Sequence, residues 1–278
     1  MSEHVVFQGI FGAYSEQAIR QHFGDAVEAV PCQSFSDLFT CIESRQAEHG
    51  MLPIENALAG TVPQSYELLM EHDLRVQGEV ILHVRHALLA PAGTKLAELQ
   101  RVRSHPQALA QCEQFLRRYS LVAEPWYDTA GSARDLGAAP IPGVGAIASA
   151  LAADLYGLEV VEPNIEDVPF NFTRFFIVGY DDPPRAEANK TSLVFATRHR
   201  PAALYACLGE FAERGINLTK LESRPRRDRP WEYLFYLDFE GHWQDPDCES
   251  ALAALLRRAS FVKLLGSYPV AVQPDGTV

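Results

Sequence analysis

No stretch of this 278-residue chain is apolar for long enough to span a bilayer, and its start, Met-Ser-Glu-His-Val-Val-Phe-Gln-Gly, lacks a basic segment followed by an apolar run. A signal peptide and a membrane anchor are not expected, and a cytoplasmic location is. Positive charge is scarce: 24 Lys and Arg stand against 36 Asp and Glu, for a net charge of −12. A nucleic acid or an anionic membrane is gripped mainly by clustered basic side chains, so neither is an expected partner. Cysteine is also sparse. Cys32, Cys41, Cys112, Cys207 and Cys248 are an odd number, far apart and without a C-x-x-C pair, which points to free thiols rather than a disulfide framework. His83 and His86 form an H-x-x-H in a strand-like run, where that spacing sends the two rings to opposite faces, so no metal is assigned. No Ser/His/Asp set suggests a covalent nucleophile. The turn at Gly9 and Gly12 lacks the third glycine of a dinucleotide fingerprint.

What remains is an ordinary globular composition, 47% hydrophobic and 22% charged, in a chain long enough for two domains. Strand-like runs at His4 to Gln8, Ala29 to Pro31, Met51 to Ile54, Val76 to Ala90, Arg101 to Ser104 and Val144 to Ala148 alternate with helical patterns. Those patterns fall at Ser15 to Arg20, Ser36 to Gln46, Gln64 to Met70, Gln107 to Tyr119 and Ala148 to Tyr156. Such alternation predicts an α/β domain with a largely parallel sheet and a ligand site at the carboxyl ends of its strands. The domain is expected over 1–180. Residues 181–190, polar and with two adjacent prolines, read as a linker. Over 191–278 the order changes to βαββαβ, with strands at Thr191 to Thr197, Asn217 to Arg226, Trp231 to Glu240 and Val262 to Tyr268. Helices lie at Pro201 to Arg214 and Asp245 to Arg258. That order predicts a ferredoxin-like antiparallel sheet with both helices on one face and a hairpin tip at Arg226 to Pro230.

Four strand ends carry hydroxyls and amides. Gly9 to Gln17 places backbone N–H groups and Ser15 at a helix start, suited to a carboxylate or phosphate or to a simple βα turn capped by Ser15. Glu55 and Asn56 end a strand ahead of Gly60 and Thr61, and Asn56 fits either a substrate donor or a helix cap. Ser104 is the expected N-cap of a Pro-started helix that carries Gln111, and Thr129 is the expected cap of a helix of small residues. In Asn171-Phe172-Thr173-Arg174, period 2 points Asn171 and Thr173 the same way and Arg174 the other, unless the backbone turns. These groups suit binding a polar anion and protonating an oxygen, although Asn171 to Arg174 also fit a plain loop leading into a buried strand.

Taken in order, Gly9-x-x-Gly12-x-Tyr14-Ser15-Glu16, Ile54-Glu55-Asn56-x-x-x-Gly60-x-Val62, Ser104-His105-Pro106-Gln107-Ala108-x-x-Gln111-Cys112, Thr129-Ala130 and Asn171-x-Thr173-Arg174-Phe175 resemble prephenate dehydratase. Gly215 to Pro225 resembles the ACT regulatory domain of that family. The resemblance covers nearly the whole chain. It implies a two-lobed, periplasmic-binding-protein-like catalytic domain followed by an ACT domain. The implied enzyme is a carbon–oxygen hydro-lyase that takes prephenate to phenylpyruvate with loss of water and carbon dioxide, toward L-phenylalanine, and uses no cofactor. By resemblance, Thr173 hydrogen-bonds or protonates the leaving hydroxyl and Arg174 binds a carboxylate, with Asn56, Ser104 and Gln111 also catalytic. Ser15, Glu55, Thr61, Thr129, Ala130, Asn171 and Phe175 are the implied substrate contacts. Ala203, Leu204, Asn217, Leu218, Glu222, Ser223, Arg224 and Pro225 are the implied L-phenylalanine site, between paired ACT domains of a dimer or tetramer.

Two positions depart from the family pattern. Ala57 replaces a common Ser, and Ala202 stands where the family has Gly, so a methyl group there crowds a ligand approaching the backbone. No chorismate mutase segment is apparent ahead of the first strand. Arogenate dehydratase, which performs the same chemistry on the amino analogue, and a small-molecule binding or sensor protein are the competing readings.

Overall fold

The computed structural model describes residues 3–24, 26–226 and 232–271. Arg227 to Trp231, which hold most of the expected hairpin tip and the first residue of the following strand, lie outside that set. The elements run β1 (Glu3–Gln8), α1 (Tyr14–Phe23), β2 (Val27–Cys32), α2 (Phe35–Glu43), β3 (His49–Asn56), β4 (Gly60–Thr61), α3 (Pro63–Glu71), β5 (Arg75–His83) and β6 (Ala87–Pro91). Next come β7 (Arg101–Ser104), α4 (Pro106–Gln111), α5 (Glu113–Arg118), β8 (Val122–Pro125), α6 (Thr129–Ala138), β9 (Val144–Ala148), α7 (Ala150–Tyr156), β10 (Leu158–Glu162) and β11 (Phe172–Gly179). The chain ends with β12 (Asn189–Thr197), α8 (Ala203–Ala212), β13 (Leu218–Pro225), β14 (Tyr233–Glu240), α9 (Pro246–Arg258) and β15 (Ala259–Pro269).

Cα packing divides the chain into two units. Among the described residues, one comprises the chain up to Ser65 and Val80–Phe175, and the other comprises Tyr66–Glu79 and residues 176–271. Ahead of β12 the strands form two sheets. In the first sheet the order is β2-β1-β3-β11-β5, with β4 paired to β3, and β1 is parallel to both β2 and β3. In the second sheet the order is β10-β6-β9-β7-β8; β7 is parallel to β8 and β9, while β6 is antiparallel to β9 and β10. The expectation of a largely parallel sheet therefore describes part of each sheet.

The strand-like run Val76 to Ala90 is two strands, not one. It leaves the first sheet at His83 and joins the second at Ala87, so residues 84–86 are a crossover between the sheets. The chain returns between β10 and β11, and the two crossovers touch where Val84 N–H donates to the Asn171 carbonyl at 2.7 Å. Each sheet has its own apolar packing. Leu88, Val102, Leu109, Leu116 and Ile147 fill one side of the second sheet, while Leu89, Ala133, Leu136, Ala146 and Ala152 fill the other. This alternation is the pattern of a strand buried on both faces.

The expected helix Gln107 to Tyr119 breaks at Cys112 (φ −117°, ψ 21°), giving α4 and α5. Asp167 reaches across the break. Its carboxylate accepts from Gln114 N–H at the start of α5, and its own N–H donates to the Gln111 carbonyl at 2.7 Å. Aspartate at a helix start satisfies an otherwise unpaired donor and matches the helix dipole. The last residue of α4 is thus anchored at its backbone.

In the second unit the βαββαβ order appears as expected, with an antiparallel sheet in the order β13-β14-β12-β15. Leu193, Phe195, Leu237 and Phe239 share one core with Cys207 and Phe211 of α8 and Ala251 and Leu255 of α9, which places both helices on one face. Asn189 and Lys190, expected in the linker, already belong to β12. The N-cap of α8 is Ala202, in the left-handed region at φ 60° and with no side-chain cap. A Cβ in that region costs about 1 kcal/mol relative to glycine. Ala202→Gly is therefore expected to raise unfolding stability by about 1 kcal/mol in a denaturant titration; unchanged or reduced stability would contradict the strain at this cap.

Candidate active site

A cavity of about 420 Å³ opens in the first unit, lined by Tyr14, Asn56, Ala59, Gly60, Thr61, Val62, Pro63, Val84, His86, His105, Gln107, Ala108, Gln111, Thr129, Asn171 and Thr173. This volume suits a small metabolite. The lining comes from the carboxyl ends of β3 and β7, the starts of α4 and α6, and both crossovers, which is where an open α/β sheet places its ligands. Among these residues there is no Lys, Arg, Asp or Glu, so the groups that meet a ligand are amides, hydroxyls and imidazoles.

The amides have one consistent orientation, and backbone donors set it. Leu58 N–H and Ala59 N–H donate to Asn56 Oδ1 at 3.1 and 2.9 Å. With its oxygen held there, the Asn56 amide presents Nδ2 inward, donating to Asn171 Oδ1 at 2.7 Å and to Thr173 Oγ1 at 2.9 Å, with a longer contact of 3.3 Å to the Phe172 carbonyl. Asn171, fully buried, must then donate through Nδ2, and it does so to Gln111 Oε1 at 3.1 Å. The same Oε1 lies 2.8 Å from His86 Nε2. Because Oε1 can only accept, His86 carries its proton on Nε2. His86 Nδ1 is then an acceptor for the Tyr14 hydroxyl at 2.7 Å, and that hydroxyl is also 3.0 Å from the Arg85 carbonyl. A single row of hydrogen bonds thus runs Tyr14–His86–Gln111–Asn171–Asn56–Thr173. Thr173 Oγ1 accepts from Asn56 at the end of the row, so its own proton is available to donate into the cavity.

Burial acts on the titratable members of the row. It raises the Tyr14 phenol well above its ordinary value, reinforced by Cys112, Glu166 and Asp128. It lowers His86, against the opposing pull of the Gln111 hydrogen bond and of Glu166, whose carboxylate accepts from His86 N–H at 2.9 Å. Both groups are therefore neutral near pH 7, as the row requires. Burial also pushes thiols up, Cys32 to about 12 and Cys248 to about 11, so both remain protonated.

The structure brings together Asn56, Thr61, Gln111, Thr129, Asn171 and Thr173 from the expected set, and it places others elsewhere. Arg174 follows Thr173 along β11 and is not among the residues that line the cavity. Ser104 is fully buried and donates to the Ile147 carbonyl at 2.6 Å, tying β7 to β9. The expected cap of α4 is instead His105, whose ring accepts from Gln107 N–H and whose edge lines the cavity. Ser15 lies inside α1 behind the N-cap Ala13, and Tyr14 takes the place at the cavity. Asp128, not Thr129, caps α6, accepting from Gly131 N–H at 2.7 Å. Glu55, which pairs with Thr61 across β3 and β4, together with the buried Ala130 and Phe175, lies outside the lining.

Tyr14, His86, His105 and Gln107 join the site without having been singled out. The turn that delivers Tyr14 is fixed by Gly12, at φ 86°, where a Cβ would stand 3.0 Å from the Ala152 methyl. Around that turn Gly12 N–H donates to the buried Glu16 at 2.6 Å, and the hydroxyls of Ser149 and Tyr156 donate to the Gly12 and Phe11 carbonyls.

Residues 5–183 match the prephenate dehydratase family. The chain is 43% identical over 277 residues to arogenate dehydratase/prephenate dehydratase 2 of Arabidopsis thaliana, covering 96% of this chain and 72% of that one. It is 39% identical over 270 residues to the bifunctional chorismate mutase/prephenate dehydratase of Neisseria gonorrhoeae, covering 96% and 75%. The chain belongs to the prephenate dehydratase family. Its fold also matches the prephenate dehydratase of Arthrobacter aurescens solved in complex with L-Phe, with TM-score 0.86, 31% identity and coverage of 99% and 91%. A structure of GqqA, described as a novel type of quorum quenching acylase, matches with TM-score 0.91, 36% identity and coverage of 99% and 100%. Members of the family thus act as dehydratases on prephenate or arogenate, in the formation of phenylalanine. No helix among the described residues is long and apolar enough to cross a membrane.

Proposed function

We propose that this dehydratase acts on prephenate itself, using the cavity bounded by Asn56, Gln111 and Thr173, and that it is inhibited by L-phenylalanine through the second unit. The observation that carries the reading is the row of amides in which Thr173 Oγ1 accepts from Asn56, which leaves its proton available for donation into the cavity. In the reaction the bond from the ring to its carboxylate breaks and carbon dioxide leaves. The electron pair enters the ring, and the opposite carbon–oxygen bond breaks so that the hydroxyl departs as hydroxide and becomes water by taking up one proton, drawn in the end from solvent. Aromaticity supplies most of the driving force. The protein has to hold the dianion and stabilise charge building on the departing oxygen, which a fixed neutral donor does well in a site of low dielectric. Thr173 is that donor. Gln111 presents its Nε2 protons beside it, and Thr61, Thr129, His105 and Gln107 are available to the carboxylates.

For the second unit, the βαββαβ order and the resemblance of Gly215 to Pro225 support an ACT regulatory domain. Leu218 to Pro225 form β13 at one edge of its sheet, where Arg224 pairs with Glu222 at 2.8 Å. Asn217 donates to Glu240 at 3.0 Å, and Ala203 and Leu204 open α8. An unpaired edge strand is a natural place for a second copy to add, which supports effector sites completed by a homodimer or tetramer. Isothermal titration of the full chain with L-phenylalanine is expected to give saturable heat, and its absence would remove the effector role.

The arogenate reading is favoured by relatives whose names carry that substrate. Incubating the purified chain with prephenate and reading phenylpyruvate by its absorbance in alkali tests the primary proposal. A kcat/KM for arogenate exceeding that for prephenate would transfer the substrate assignment. Turnover of neither would leave a binding protein.

A further inference from the structure

We propose that His86, held by Tyr14, is a positioning residue that fixes which end of the Gln111 amide faces the substrate. The inference rests on the dehydratase reading and identifies a part of the site outside the set that the sequence suggests. Gln111 has a side chain with two chemically different ends of nearly equal shape, and a substrate carboxylate or hydroxyl meets either a donor or an acceptor according to the rotation of that amide. Asn171 supplies one donor to Oε1 at 3.1 Å, and His86 Nε2 supplies the second at 2.8 Å, the shorter of the two. With both lone pairs of Oε1 occupied, rotating the amide would place its NH₂ against two donors. Nε2 of Gln111 is left as the end presented to the cavity.

His86 can do this only if its own proton sits on Nε2. With that tautomer Nδ1 is an acceptor, and the Tyr14 hydroxyl 2.7 Å away turns its single proton toward Nδ1 and the Arg85 carbonyl, which lies 3.0 Å off. The ring is 2% exposed and held at its backbone by the Glu166 carboxylate, and it meets the Tyr14 ring edge-on with centroids 5.6 Å apart. Both partners line the same cavity as Asn56, and they support the amide row from its other end.

The test compares His86→Leu with His86→Gln in the full chain, measuring kcat and KM for prephenate after the parent enzyme has been shown to turn it over. If the parent has no dehydratase activity, the functional reading fails before this inference is reached. Leucine removes the donor at similar volume, and glutamine restores an N–H near the position of Nε2. His86→Leu is expected to lower kcat about tenfold, the effect of losing one orienting hydrogen bond, with KM changed less than threefold. His86→Gln is expected to recover most of that loss. In a Gln111→Ala background His86→Leu should have no further effect, because its influence passes through the amide. Equal loss in both His86 variants, or a full additional loss in the Gln111→Ala background, would overturn the proposal. Should His86→Leu fail to fold, Tyr14→Phe carries the same test. It is expected to give a few-fold loss of kcat that vanishes in the Gln111→Ala background, and a loss that persists there would overturn the assignment.

Discussion

Replacing Thr173 with valine is expected to lower kcat by about 10²- to 10³-fold while KM changes only a few-fold. The two side chains have nearly the same shape, so packing at the start of β11 is kept and the hydroxyl alone is lost. Losing that oxygen also removes one acceptor from Asn56 Nδ2, but the amide keeps Asn171 Oδ1 at 2.7 Å. The cost to stability is correspondingly small, about 1 kcal/mol. The cost to catalysis is larger because the hydroxyl meets the departing oxygen most strongly once the carbon–oxygen bond is stretched, which appears in kcat rather than in KM. Thr173→Ser keeps the donor and should stay within about tenfold of the parent. Steady-state kinetics on prephenate measure both variants, and a T173V enzyme with parental kcat would remove Thr173 from the chemistry.

Asn56→Asp should be at least as damaging, for a different reason. The change is isosteric, yet it replaces the only donating end of Asn56 with an acceptor. Leu58 N–H and Ala59 N–H would still hold one oxygen, and the other would face Asn171 Oδ1 and Thr173 Oγ1. Thr173 would then turn its proton toward the new carboxylate, and Asn171 would have to rotate and in turn reverse Gln111. The donor order of the row is inverted from one end. The new negative charge would also sit beside a cavity that must accept a dianion without any lysine or arginine in its lining. The expected outcome is a loss of kcat/KM of at least about 10³-fold with a marked rise in KM, which separates this variant from T173V. A large kcat defect with parental KM would indicate that charge in the cavity matters less than donor order.

The outcome for individual residues shows what local sequence carries. Asn171 and Thr173 share a face through the two-residue repeat of an extended segment, and the structure places both at the cavity, whose lining does not include Arg174. A chain-local rule is sufficient for the placement of those two side chains. Caps were harder. Ser15 and Ser104 each stand one residue from a group that faces the cavity, Tyr14 and His105, and Thr129 faces it one residue past the cap Asp128, because a single-residue shift at a helix start exchanges cap, first turn and cavity. Cys112 splits a continuous helical pattern because Asp167, 53 residues from its partner Gln114, caps a new helix there. His83 ends β5 and His86 lies in the crossover beyond it, so strand alternation does not relate the two rings, and the ring contacts of His86 lie 72 residues upstream and 25 downstream. Nothing in its neighbours along the chain announces them. The α/β order and the βαββαβ order are written in local periodicity, whereas the crossovers that carry His86 and Asn171 depend on which sheet each strand joins.

The central claim is that a row of neutral amides aims the Thr173 proton at the oxygen that leaves. A crystal structure of the full chain with an unreactive prephenate analogue that retains the ring hydroxyl tests it most directly. The account predicts Thr173 Oγ1 at about 2.7–2.8 Å from that hydroxyl oxygen, with Asn56 Nδ2 still donating to Thr173 from the other side. An analogue seated in the cavity with its hydroxyl turned away from Thr173 would contradict it.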